Sequence, residues 1–176
     1  MNHAVERALF SLLAVLALVA TVVAGGQKKD DGLKNQYQNI EVAQFDVKEG
    51  VEFPAENMTG MMDEIVSELQ DIKKFKQVTR AGATPVDAAS APTIQLVGTV
   101  TEYKAGSRAK RYLIGFGAGK TKVVAHVKFI DKATGNVLLE RDVDGKVVLG
   151  LFGGKSKTSL RDVGKEIASV AKKKFF

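Results

Sequence analysis

The sequence predicts an α+β fold, with a single mostly antiparallel sheet and two helices packed on one of its faces. Three observations predict it. Apolar and polar residues alternate at period two on both sides of Gly135. Apolar residues recur at three- and four-residue spacing in two other stretches, and the elements run in the order β-α-β-β-β-β-α.

At the start, Ala8 to Ala24 is apolar apart from Ser11 and Thr21, with Arg7 before it and Gly25-Gly26 after it. The run reads as an export signal, with Val22-Val23-Ala24 as its cleavage site. It is also just long enough to span a bilayer as an uncleaved anchor. Residues 25–39 read as a polar tether and residues 40–176 as a single α+β domain. Val22-Val23-Ala24-Gly25 has the shape of a bacterial lipoprotein box with glycine in place of the acylated cysteine. The chain contains no cysteine, which excludes a lipoprotein, disulfides and thiolate metal sites. Export without disulfides fits a bacterial envelope, with the domain periplasmic or anchored to the inner membrane.

Ile40 to Val47 reads as a strand whose alternation breaks near Ala43. A helix is predicted over Thr59 to Lys74, with Met62, Ile65, Leu69 and Ile72 on one face. Its acids come early, and Lys73 and Lys74 fall in its last turn, as the helix dipole favours. Phe75 to Arg80 reads as a short strand. Helix one then crosses over between parallel neighbours. Ala81 to Pro92 is rich in small residues and proline and reads as a loop. Thr93 to Tyr103 reads as a strand, and Gly98 in its middle suggests a bulge or a close backbone approach. The last helix is predicted to open at Ser159-Leu160-Arg161-Asp162, which has capping-box spacing. Leu160, Val163, Ile167 and Val170 form its apolar stripe, and Lys172-Lys173-Lys174 closes it.

The hairpin is the most specific prediction. Val123, Ala125, Val127 and Phe129 alternate with polar residues, and Val137 to Leu149 repeats the pattern. A three-residue loop, Ala133-Thr134-Gly135, with Gly135 left-handed, sets the register. Phe129 then faces Leu139 and Ala125 faces Val143, while Lys128 matches Glu140 and His126 matches Asp142. A slip of one residue would oppose the apolar face to acids. The same register sets Lys122 opposite Lys146, at the end where two similar segments lie. These are Leu113 to Lys122 (LIGFGAGKTK) and Leu149 to Lys157 (LGLFGGKSK).

Those segments are the candidate contact surface. Phe116, Leu151 and Phe152 sit among glycines where a turn ordinarily carries polar residues, as at an interface. Arg108, Arg111, Lys120, Lys122, Lys146, Lys155 and Lys157 surround them. A net charge of +6 favours an anionic counterpart. The partners expected are an envelope protein or an anionic lipid or lipopolysaccharide surface, with a homo-oligomer as a further possibility. Nucleic acid is disfavoured, because base-stacking aromatics are few.

Other chemistry fits poorly. Gly115 to Thr121 (GFGAGKT) suggests a phosphate loop, but the required first glycine is Ile114 and a strand follows instead of a helix. No nucleotide, cofactor or metal is expected. His126 opposite Asp142 is the one arrangement open to a hydrolase reading, yet no Ser or Thr nucleophile has a spacing that recruits it. The sequence therefore points to a non-enzymatic protein. An alternative is a subunit of an oligomeric envelope secretion or transport assembly.

Gly106-Ser107-Arg108-Ala109-Lys110-Arg111-Tyr112-Leu113-Ile114-Gly115-Phe116-Gly117-Ala118-Gly119 resembles the bacterial family called domain of unknown function 4410. The resemblance continues to Asp131 and through Thr134-Gly135-Asn136-Val137-Leu138, and takes in Gly153-Gly154 and the last helix. It implies a small exported envelope protein, often lipid-anchored in that family, with no established activity. The missing lipobox cysteine is where this chain departs from the pattern.

Overall fold

The predicted hairpin forms one edge of the sheet. The computed structural model describes residues 30–82, 91–105, 121–146 and 156–176. After a 3-10 turn at Asp30–Leu33 come β1 (Asn39–Val42), β2 (Asp46–Val47), α1 (Ala55–Asp71) and β3 (Gln77–Arg80). Then follow β4 (Thr93–Lys104), β5 (Lys122–Asp131), β6 (Val137–Lys146) and α2 (Ser156–Phe175). The sheet runs β3-β1-β4-β5-β6, with β2 paired to β4 alongside β1. β1 pairs in parallel with β3 and β4, so α1 is a crossover between parallel neighbours. The long β4–β5 and β5–β6 ladders are antiparallel. The architecture is the predicted α+β class with a mixed, mostly antiparallel open sheet.

Alternation makes one sheet face apolar, and both helices cover it. Ile94, Leu96 and Val100 of β4, and Val123, Ala125, Val127 and Phe129 of β5, are buried there. They meet Met61, Met62, Ile65 and Leu69 of α1 and Val163, Ile167, Ala171 and Phe175 of α2 in one core. Removing each large side chain from water is worth about 1.5–3 kcal/mol. The strand break expected near Ala43 separates β1 from β2, and it frees Phe45 to fold over the sheet. Its ring lies on Gly98, where a Cβ would come within 2.4 Å of it. Gly98 is therefore the close approach that the sequence suggested.

The register of the hairpin is the predicted one from Lys122↔Lys146 to Phe129↔Leu139. Nearer the turn it shifts, with Ile130 paired to Val137 and the Asp131 amide bonded to the Asn136 carbonyl at 2.9 Å. The loop is one residue longer than the predicted Ala133-Thr134-Gly135. The cause is local: the Asp131 carboxylate accepts the amides of Ala133 and Thr134, both at 2.9 Å, and draws Lys132 into the turn. Gly135 is left-handed as expected, at φ 73°.

Both helices begin earlier than predicted. α1 starts after Pro54, whose fixed φ of −57° prepares the first turn, and Met58 joins the buried stripe. It ends at Asp71, because Lys73 takes a left-handed conformation at φ 51°. Lys73 and Lys74 thus lie beyond the helix and not in its last turn. α2 already includes Ser156, so Ser159 is inside it and not its cap. Ser159 is buried because its carbonyl passes over Gly145, where a Cβ would sit 2.0 Å away. Within the segment expected as a tether, Tyr37 is buried and donates to Asp131 at 2.8 Å. Desolvation, with the hydrogen bond to Asp131, raises its pKa to about 12. Among the described residues no helix is long and apolar enough to cross a membrane. Residues 1–24 lie outside the described residues.

Candidate functional site

The end of the hairpin away from Gly135 is built by three strands. β4 skips Thr101 in its pairing, so Val100 faces Ala125 and Glu102 faces Val124. This bulge returns Tyr103 to the helix-covered face, where its ring meets Phe53 edge to face at 5.0 Å and its oxygen accepts from Asn57 at 3.0 Å. It also turns Glu102 onto the open face, beside two lysines. Lys104 faces Lys122 across one ladder, and Lys122 faces Lys146 across the next. The Glu102 carboxylate contacts the Lys104 ammonium at 2.7 Å and that of Lys122 at 2.5 Å. These hydrogen bonds, first Lys104 and then Lys122, lower its pKa to about 2. Lys122 is therefore already partnered within the chain, a neighbour that simple alternation hides because it puts Glu102 on the other face.

Because Lys122 and Lys146 are paired, the chain enters β5 and leaves β6 at the same end. Of the sequence-predicted contact residues, Lys122 is fully described, while Lys146 and Lys157 are placed by their backbone at the end of β6 and in the first turn of α2. Arg108, Arg111, Phe116, Lys120, Leu151, Phe152 and Lys155 lie outside the described residues.

A second polar cluster lies on the open face. His126 Nδ1 meets Asp142 at 2.8 Å and its Nε2 meets Glu140 at 2.7 Å, with Lys128 on Glu140 at 3.1 Å. The hydrogen bonds to Asp142 and Glu140 raise the imidazole pKa. Bonds from His126 and Lys128 lower that of Glu140. Thr99 faces His126 across the β4–β5 ladder. Both ring nitrogens are held by carboxylates, however, leaving neither to take a proton from a hydroxyl. The arrangement is a charge clamp between strands. Among the described residues no group of His, Asp and Glu has the geometry of a metal site.

One contact set escaped the sequence reading. Glu166 of α2 accepts the Asp144 amide at 2.8 Å and lies 3.6 Å from Arg141. It caps part of the outer edge of β6, which protects an edge strand from pairing with other chains. Its signal is tertiary, since only the packing of α2 on β6 brings Glu166 there.

The fold and these clusters define a small α+β domain with one covered and one open sheet face. Residues 34–150 match the family described as domain of unknown function (DUF4410), and the chain belongs to that family. No curated protein matches the sequence. Among solved structures, the PelC dodecamer from Paraburkholderia phytofirmans is similar, with a TM-score of 0.53 and 16% identity over 80% of this chain and 91% of that one. A hypothetical protein from Chlamydia trachomatis has a TM-score of 0.52 and 12% identity over 78% of this chain and 97% of that one. At such identities the likeness concerns the fold alone.

Proposed function

We propose that the protein is a non-enzymatic component of the bacterial cell envelope that binds an envelope protein partner through the open end of its hairpin. Residues 1–24 direct its export in this reading. The observation that supports it is the Lys122↔Lys146 pair, which starts two glycine- and lysine-rich segments from neighbouring strand ends. Phe116, Leu151 and Phe152 supply apolar contact. Arg108, Arg111, Lys120, Lys146, Lys155 and Lys157 engage acidic groups of the partner. Lys122 serves less in recognition, because Glu102 already balances it. The test is sedimentation of the protein in envelope extract. Wild type is expected in a complex larger than a monomer, and the Phe116→Ser/Phe152→Ser variant at monomer size. Unchanged sedimentation with an unchanged circular dichroism spectrum would discard the reading.

A second reading, a homo-oligomeric assembly subunit, is favoured by the likeness in fold to a protein that crystallised as a dodecamer. Cross-linking of the exported protein in cells separates the two. A ladder of multiples of this chain supports self-assembly, and monomers at every expression level remove it.

A further inference from the structure

The two helices run in the same direction and end together. A Cβ on Gly60 would lie 3.5 Å from Leu160, and one on Gly164 would lie 2.9 Å from the Glu64 carbonyl oxygen. These contacts match the helices turn for turn. Their C-terminal ends meet at the pole beside the hairpin turn, where Phe175 packs on Phe129 at 5.5 Å and on Tyr37 at 5.8 Å. Phe75 beyond α1 and Phe176 beyond α2 pair edge to face at 5.1 Å. Lys73, Lys74 and Lys76 flank the first ring, and Lys172, Lys173 and Lys174 precede the second. Lys34 joins them, since the amide of the adjoining Asn35 donates to the Phe175 carbonyl at 2.7 Å.

Seven lysines from three separate segments are thus gathered at one pole. Both helix dipoles place their negative ends there, which favours cations but offsets only a fraction of a charge each. Lys34, Lys73, Lys74, Lys76, Lys172 and Lys173 are exposed, and none forms an ion pair with another described residue. Nearby Asp131 is occupied by Tyr37 and the turn amides. Asp71, in the last turn of α1, is the acid closest in sequence.

We propose that this lysine pole is a docking surface for an anionic phospholipid bilayer. The charges are lysines, point charges on flexible stems, which suit a two-dimensional field of headgroups better than the fixed fork of a phosphate pocket. Phe75 and Phe176 occupy one another, so the pole offers no platform for stacked bases. The pole is opposite the hairpin's open end and leaves that end free for the protein partner.

The test is vesicle flotation of the protein as purified from cells, with phosphatidylcholine alone and with phosphatidylglycerol added. Wild type is expected to prefer the anionic vesicles, and to lose the preference as salt rises. Each lysine near a charged surface is worth about fivefold in binding. The Lys74→Gln/Lys76→Gln/Lys172→Gln/Lys173→Gln variant should therefore lose on the order of several hundredfold. All four side chains are exposed, and circular dichroism checks the fold. The Phe116→Ser/Phe152→Ser variant should keep the preference, so failure here and failure of the hairpin-end reading are distinguishable. Equal binding of wild type to both vesicles, no binding to either, or an undiminished preference in the quadruple variant would each overturn the proposal.

Discussion

Replacing Gly98 by alanine tests the way the two halves of the sheet are locked together. A Cβ there would lie 2.4, 2.5 and 2.6 Å from three atoms of the Phe45 ring. Carbon atoms in contact want about 3.5–4.0 Å, so the ring must retreat by more than an ångström. It has little room to do so, since Phe45 is only 3% exposed. Overpacking of this kind costs about 1–3 kcal/mol, and relief of the strand glycine's chain entropy returns about 0.5–1 kcal/mol. A net loss of about 1 kcal/mol is expected for Gly98→Ala. Phe45→Ala alone should cost about 3–5 kcal/mol through lost burial and the cavity left behind. In that background all three clashing atoms are gone, and Gly98→Ala should become neutral or slightly stabilising. Urea unfolding followed by circular dichroism measures all four corners of the cycle. An equal cost of Gly98→Ala with and without the ring would refute the close approach.

The other perturbations follow the same contacts. Gly164→Val should destabilise by about 2 kcal/mol or more, because its Cβ meets the rigid backbone of α1 at 2.9 Å and not a movable side chain; thermal unfolding of the purified protein reads the loss. The carboxyls of Glu102, Glu140 and Asp131 all have lowered pKa values in the fold. Their contribution is present above the unfolded carboxylate range and should fade as pH falls through the folded values. His126 has a raised pKa, so its contribution is full below about pH 6.5 and should be lost as pH rises through the folded value. Urea midpoints measured across pH should therefore decline on both sides of a plateau. A His126→Asn variant should lose the alkaline decline and keep the acidic one.

How far the fold could be read depended on whether each signal was local. The β5–β6 register was legible because one face is purely apolar and the other pairs Lys128 with Glu140 and His126 with Asp142. Only one register satisfies both faces. The turn defeated the same logic by one residue, because the Asp131 carboxylate makes its own bonds there. The start of α1 was missed since its first turn, from Ala55, precedes most of the apolar stripe, and the signal was Pro54. Ser159 carried capping chemistry, yet packing against Gly145 put it inside α2. The bulge of β4 was expected, if anywhere, at Gly98, whereas it lies at Thr101 and changes the phase of Glu102 and Tyr103. Glu102 reached its two lysines through that bulge, which is why a basic cluster read from composition is partly neutralised in the fold.

The positive charge of the chain is therefore unevenly spent. On the open sheet face Lys122 and Lys104 share Glu102, and Lys128 shares Glu140 with His126. Exposed pairs of this kind are worth at most about 1 kcal/mol each and leave little field for a partner to feel. At the other pole Lys34, Lys73, Lys74, Lys76, Lys172 and Lys173 form no ion pair with another described residue, although helix dipoles alone do not require so many. Crowding like charges opposes the compact state. Their placement follows from packing, since the parallel alignment of α1 and α2 at Gly60 and Gly164 is what brings two separate lysine runs together. The same glycines that let the helix backbones approach thus set the charge density of the pole. Widening that contact would spread the lysines as well as weaken the core.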